Sequence, residues 1–140
     1  MTTTSIIIIV LVLVTVSVWY DRRKKIKQTI KTFDRRDAVD TQSFYERYYR
    51  DKGIDIQIIR GIREVLEKVL DADMSRIQPS DDFTTNLKFY FDSDSMADVE
   101  IVVGLEKTFE IIISDEEAQR TKTIDDIVML VDSKMKLNKA

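Results

Sequence analysis

The sequence predicts an all-α protein: a small four-helix bundle with a long first loop, preceded by a single transmembrane helix and a basic linker. Three observations carry this expectation. The chain opens with an apolar run, Thr4 to Tyr20, of 17 residues without charge, Pro or Gly. After residue 54, apolar residues recur at three- and four-residue spacing in separate stretches, the period of helices with one buried face. The one candidate strand, Ile111 to Ile113, has no partner to pair with. The expected segments are 4–20 for the span, 21–53 for a juxtamembrane linker with a short aromatic helix, and 54–136 for the bundle.

Length and composition limit what such a protein does. At 140 residues there is room for one domain with a modest core plus an anchor. The chain has no cysteine and no histidine, which excludes disulfides, Cys/His zinc sites, thiolate catalysis and histidine acid/base chemistry. Its net charge of −3 hides an asymmetry: residues 21–36 hold eight Lys/Arg against two Asp, for +6, whereas residues 51–140 hold 12 basic against 20 acidic, for −8.

As a helix, the apolar run spans about 26 Å, slightly under the ~30 Å hydrocarbon core, so it crosses with little tilt. Trp19 and Tyr20 suit the interface. Arg22, Arg23, Lys24, Lys25, Lys27 and Lys31 follow at once, and the positive-inside rule puts them in the cytoplasm. A cleaved signal peptide would instead carry its positive charge before the apolar segment. Residues 30–40 have little apolar period and read as a solvated helix extension or linker. Ser43 and Glu46 have capping-box spacing and start a short helix through Phe44, Tyr45, Tyr48 and Tyr49 that Gly53 ends. These aromatics are expected to pack on the following domain; that domain is acidic and would repel phosphates, so nucleic acid is not a partner.

In the bundle, Asp55 caps a helix whose buried face is Ile56, Ile59, Ile62, Val65, Leu66 and Val69. Residues 72–94 form a long loop broken by Pro79, with Met74, Ile77, Phe83 and Leu87 pinning it to the core. Met96, Val99, Val102, Leu105 and Phe109 mark a second helix with Glu100, Glu106 and Lys107 on its exposed side. Ser114 and Glu117 form a capping box for a short third helix, and Thr123 caps a fourth, faced by Ile124, Ile127, Val128, Val131 and Met135.

The stretch Asp94 to Ala118, DSMADVEIVVGLEKTFEIIISDEEA, resembles the modification region of acyl carrier proteins. That region has an Asp-Ser-Leu core, a Val-Glu-Leu helix, a Leu-Glu pair, a Phe and an Ile-Pro-Asp-Glu-Glu-Ala turn. Ile77, Phe83 and Leu87 fall where the family's loop anchors are expected, and the similarity runs from about residue 54 to 135. The resemblance implies a non-enzymatic carrier with 4'-phosphopantetheine on Ser95, attached from coenzyme A by a phosphopantetheinyl transferase. It places Asp94 beside the transferase and its metal, and Met96 where a Leu meets the arm or a partner. Asp98, Glu100 and Glu106 would dock basic surfaces of acyl-loading and acyl-accepting enzymes, guiding association. Three departures stand out: Met96 for Leu, a longer aromatic link from Lys88 to Asp94, and Ala97 and Lys107 where many members are acidic.

Taken alone, Ser95 and Asp98 also have capping-box spacing, which would make Ser95 only a helix cap. A phosphodiester at Ser95 suits a helix N-terminus, where free N–H groups favour an anion. Ser93 lies two residues too early for the register. An EF-hand starting at Asp92 fails because Ala97 and Val103 stand at its glycine and glutamate positions, so no metal site is expected. The expectation is a single-pass membrane protein whose cytoplasmic carrier domain brings an acyl or related group, held as a thioester, to enzymes at the bilayer. The alternative is an unmodified adaptor of the same fold that docks partner proteins there.

Overall fold

A computed structural model describes residues 2–139, and every secondary-structure element among them is helical. The first helix, α1 (Thr3–Thr32), is uninterrupted, buries no residue fully, and is long and apolar enough to cross a membrane. In its apolar part the Thr15 hydroxyl donates to the Val12 carbonyl at 2.8 Å, which satisfies that hydroxyl within the helix.

Residues 30–40 begin as the expected helix extension and are mostly exposed, but they are also fastened to the domain. α1 runs through Ile30 to Thr32, Phe33 is 2% exposed in the core, and the Arg36 guanidinium grips Asp81 with both terminal nitrogens, at 2.8 and 3.0 Å. Periodicity missed this because a single phenylalanine and a single arginine carry the packing. The next helix, α2 (Thr41–Tyr48), is capped by Asp40, whose carboxylate accepts from the Ser43 amide at 2.7 Å. The expected Ser43–Glu46 box does not form: Ser43 already lies inside the helix, and Glu46 accepts from the Gln42 amide instead. A 3-10 turn (Arg50–Lys52) follows and closes on Gly53, whose φ of 69° is left-handed. Tyr49 donates its hydroxyl to Asp125 at 2.8 Å; burial, with that carboxylate alongside, pushes the phenol well up, so it stays a donor.

The main helix of the bundle, α3 (Ile56–Leu70), starts at the Asp55 cap and buries Ile58, Ile59, Ile62, Val65, Leu66 and Leu70. The long loop is pinned as expected by Met74, Ile77, Phe83 and Leu87, all buried. Its end is not a loop: α4 (Phe89–Ser93) is a short helix that rests against α1. Three clustered aromatics supply enough burial to order five residues that have no helical repeat of their own.

In α5 (Ala97–Phe109) the buried residues are Ala97, Ile101 and Leu105, with Val102 and Phe109 packed at the edge. Val99, one of the periodic apolar residues, is instead 48% exposed, and Met96, 54% exposed, is open to an arm or a partner as the resemblance implies. The reason is the closeness of the α3–α5 contact. A Cβ on Gly104 would come within 2.8 Å of a Val65 methyl, and one on Gly61 within 2.5 Å of the Phe109 ring. That approach sets the rotation of α5, with Gly104 against Val65 and Phe109 over Gly61. α6 (Asp115–Arg120) has the Ser114–Glu117 capping box, and α7 (Ile124–Lys139) starts where the Thr123 hydroxyl accepts from the Asp126 amide at 3.0 Å. Ile111 to Ile113 forms no strand; an isolated bridge joins Asp82 to Thr123.

Removing one partner of a buried ion pair strands the other charge. Asp81→Ala should therefore destabilise the fold by about 2–3 kcal/mol, the low end reflecting the partial exposure of Arg36. Urea unfolding in detergent micelles, followed by circular dichroism, measures it. The Arg36→Ala/Asp81→Ala double variant should lose less than the sum of the single losses; strict additivity would show that the pair is not coupled.

Candidate functional site

The serine picked out by register sits where α4 turns into α5. Asp94 is extended between the two helices (φ −145°, ψ 102°), and its carbonyl accepts from the Ala97 amide at 3.3 Å. Its carboxylate accepts from the Met96 amide at 3.0 Å. Ser95 is exposed in that turn and is not the helix cap: the cap position is Met96, which makes no side-chain capping bond, and no box forms with Asp98. Asp98 instead accepts from the Val99 amide at 2.8 Å. Asp94 takes over the capping task because it lies two residues before Met96 on extended backbone, so the Ser95 hydroxyl is left facing solvent. The side chain of Ser93 lies outside the described residues.

Three features around Ser95 fit a phosphodiester-linked arm. The hydroxyl is accessible on an open turn at the N-terminus of a 13-residue helix, whose dipole favours an anion. Exposed Met96, Val99 and Val103 form an apolar strip on the same helix. Between α5, α6 and α7 lies a groove of about 380 Å3, lined at its α5 end by Asp98 and Val99 and deeper in by Val102, Leu105, Ile113 and Leu130. Phe91 forms part of its wall and stacks on Phe83, with ring centroids 5.2 Å apart and planes 15° apart.

The acidic residues are not equivalent. Glu100 and Asp98 are exposed on α5, whereas Glu106 is half-buried and its carboxylate accepts from the Ile113 amide at 2.8 Å. Glu106 thus holds the α5–α6 loop in place. Glu117 serves the α6 cap, and the Lys134 ammonium at 2.7 Å holds its carboxyl below the usual glutamate range. Sequence reasoning noted Phe83 as an anchor and the aromatic link, but missed that Phe91 stacks on Phe83 and that Tyr90 reaches Thr29. The available signal was three adjacent aromatics in an otherwise polar link.

The C-terminal half of the chain matches known proteins. The acyl carrier protein of Acidothermus cellulolyticus is 36% identical over 72 residues, covering 51% of this chain and 81% of that one. The chain belongs to the acyl carrier protein family. The acyl carrier proteins of Micrococcus luteus, 34% identical over 76 residues, and Helicobacter hepaticus, 33% identical over 73 residues, cover 54% and 52% of this chain and 89% and 91% of their own. No family model matches the chain. Acyl carrier proteins are carriers and not enzymes, and membership implies an acyl group borne on phosphopantetheine. It suggests, in general terms, a phosphopantetheinyl transferase and acyl-processing enzymes as partners.

Removing the Glu106 carboxylate should cost about 1–2 kcal/mol through the unpaired Ile113 amide, whereas Glu106→Gln, which keeps an acceptor, should cost less. The exposed Glu100→Ala should stay within about 0.5 kcal/mol of the native chain. Urea midpoints compare the three, and equal losses for Glu106→Ala and Glu100→Ala would assign Glu106 no structural role.

Proposed function

We propose that the chain is a membrane-anchored acyl carrier protein in which Ser95 bears 4'-phosphopantetheine and delivers an acyl or related group to enzymes at the cytoplasmic face. The observation that carries this reading is the exposed Ser95 hydroxyl, which no capping bond engages, at the N-terminus of α5 beside an apolar groove, in a chain of this family. When attached, the group supplies a terminal thiol that holds the cargo as a thioester. Asp94 and the exposed Asp98 and Glu100 present negative charge to a transferase and to basic partner surfaces. Met96 and Val99 offer apolar contact to the arm, and Val102 and Leu130 line space for an apolar cargo.

The anchor rests on several supports. None of the apolar window packs against the protein, so its burial needs another phase, and lipid provides it. Arg23 lies over the Trp19 ring at 3.8 Å, joining the aromatic boundary to the basic run that the positive-inside rule places in the cytoplasm. The helix that holds the apolar run continues without a break into Lys25 and Thr29, which contact the folded domain.

Incubation with coenzyme A and a broad-specificity phosphopantetheinyl transferase should add one phosphopantetheine mass to the native chain and to Ser93→Ala, and none to Ser95→Ala. An unmodified native chain would favour a membrane adaptor of the same fold, with α4 denying access. For the anchor, alkaline carbonate should leave the full-length protein in the membrane pellet; release without detergent would refute a span.

A further inference from the structure

α1 does not stop where the apolar run does. Its residues 21–32 meet the carrier domain along one face, at positions spaced three and four apart. Arg22 pairs with Asp71 at 3.2 Å, the Lys25 ammonium donates to the Leu70 carbonyl at the end of α3 at 2.7 Å, and the Thr29 hydroxyl meets the Tyr90 phenol at 2.9 Å. Phe33 then enters the core. The Arg22 pair is exposed and contributes little, but Lys25 and Thr29 are partly buried and Tyr90 is 1% exposed.

Tyr90 is the second residue of α4, the helix that ends two residues before Ser95. The anchor therefore reaches within one short element of the proposed attachment point. Thr29 lies nine residues beyond Tyr20, or about 14 Å along the helix axis at ~1.5 Å per residue. A flexible linker over residues 21–53 would let the domain wander over roughly 30 Å, on a coil estimate of ~5–6 Å times the square root of its length. The packed helix removes that freedom.

We propose that residues 21–33 are a rigid strut, and that Lys25, Thr29 and Tyr90 are positioning residues that hold the Ser95 turn at a set height above the bilayer. The carrier then serves enzymes whose sites lie at that level of the same membrane, and not enzymes reached by free swinging. This rests on the membrane-anchored carrier reading given above, but its test uses neither the modification nor activity.

Because the chain has no cysteine, exposed Lys24 and Asp92 can each be changed to Cys and spin-labelled in the full-length protein in lipid nanodiscs. The Lys24→Cys/Asp92→Cys pair should give a single narrow distance peak. Thr29→Ala with Tyr90→Phe, which keeps the buried ring, should about double its width while moving the melting temperature by only a few degrees. A Gly-Ser-Gly-Ser-Gly-Ser insertion between Tyr20 and Asp21 should leave that peak unchanged. The same insertion should at least halve the relaxation of the Asp92→Cys label by nickel-chelating headgroups. A broad peak in the otherwise native chain overturns the strut, as does headgroup relaxation indifferent to the insertion. A peak that stays narrow in the Thr29/Tyr90 variant overturns their positioning role. A failure of the Ser95 reading would appear separately, as a missing mass adduct with these distances intact, and a failure of the span as carbonate release.

Discussion

The Asp81 carboxylate is almost fully removed from water at 1% exposure, and a charge in that setting persists only when its oxygens are matched. Arg36 donates to both oxygens, the Gln78 amide to one at 2.7 Å and the Asn86 side chain to the other at 2.9 Å. The Asp81 carbonyl also accepts from the Ile124 amide at the start of α7, at 3.0 Å. One residue thereby ties the end of the anchor, the long loop and the last helix together. The loop leads on to Leu87, Tyr90 and Phe91, so the approach to Ser95 inherits its position from this buried pair.

The second constraint is the close crossing of α3 and α5. Gly61 and Gly104 let the two backbones approach, and that fixes the rotation of α5 about its axis. Ala97, Ile101 and Leu105 go inward, while Met96, Val99 and Val103 are left on the surface beside the groove. The rotation set by the close crossing thus leaves a second apolar strip on α5 to meet an arm or a partner. Glu106 reinforces the arrangement by fixing the loop that carries Ile113, which lines the groove from the α6 side.

Charge is laid out along the same axis. The basic stretch of α1 lies between the apolar run and an acidic domain. Anionic headgroups attract the first and repel the second, and at physiological salt these forces fade over about 8–10 Å.

Much of this was legible from local pattern. Asp55, Ser114 and Thr123 act at helix starts as their spacing implies, the buried face of α3 follows its three- and four-residue repeat, and the loop anchors Met74, Ile77, Phe83 and Leu87 are all buried. The failures have a common cause. The α2 cap moved to Asp40 and the α5 cap position to Met96 because several residues were chemically able to cap, and only backbone geometry selects among them. Glu106 looked like another surface carboxylate because its acceptor role depends on a loop seven residues away folding back over it.

The sequence by itself determined the long apolar run, the helical character of the domain and the absence of cysteine and histidine chemistry, which are properties of composition and of spacings within a few helical turns. Ser95 was singled out by the resemblance to acyl carrier proteins, because its local spacing reads equally as a helix cap. Only the tertiary structure decided that Arg36 meets Asp81 across 45 residues and Thr29 meets Tyr90 across 61. Such pairings leave no period in the chain: they arise when packing removes both partners from water, and here they turn an apparent linker into part of the carrier.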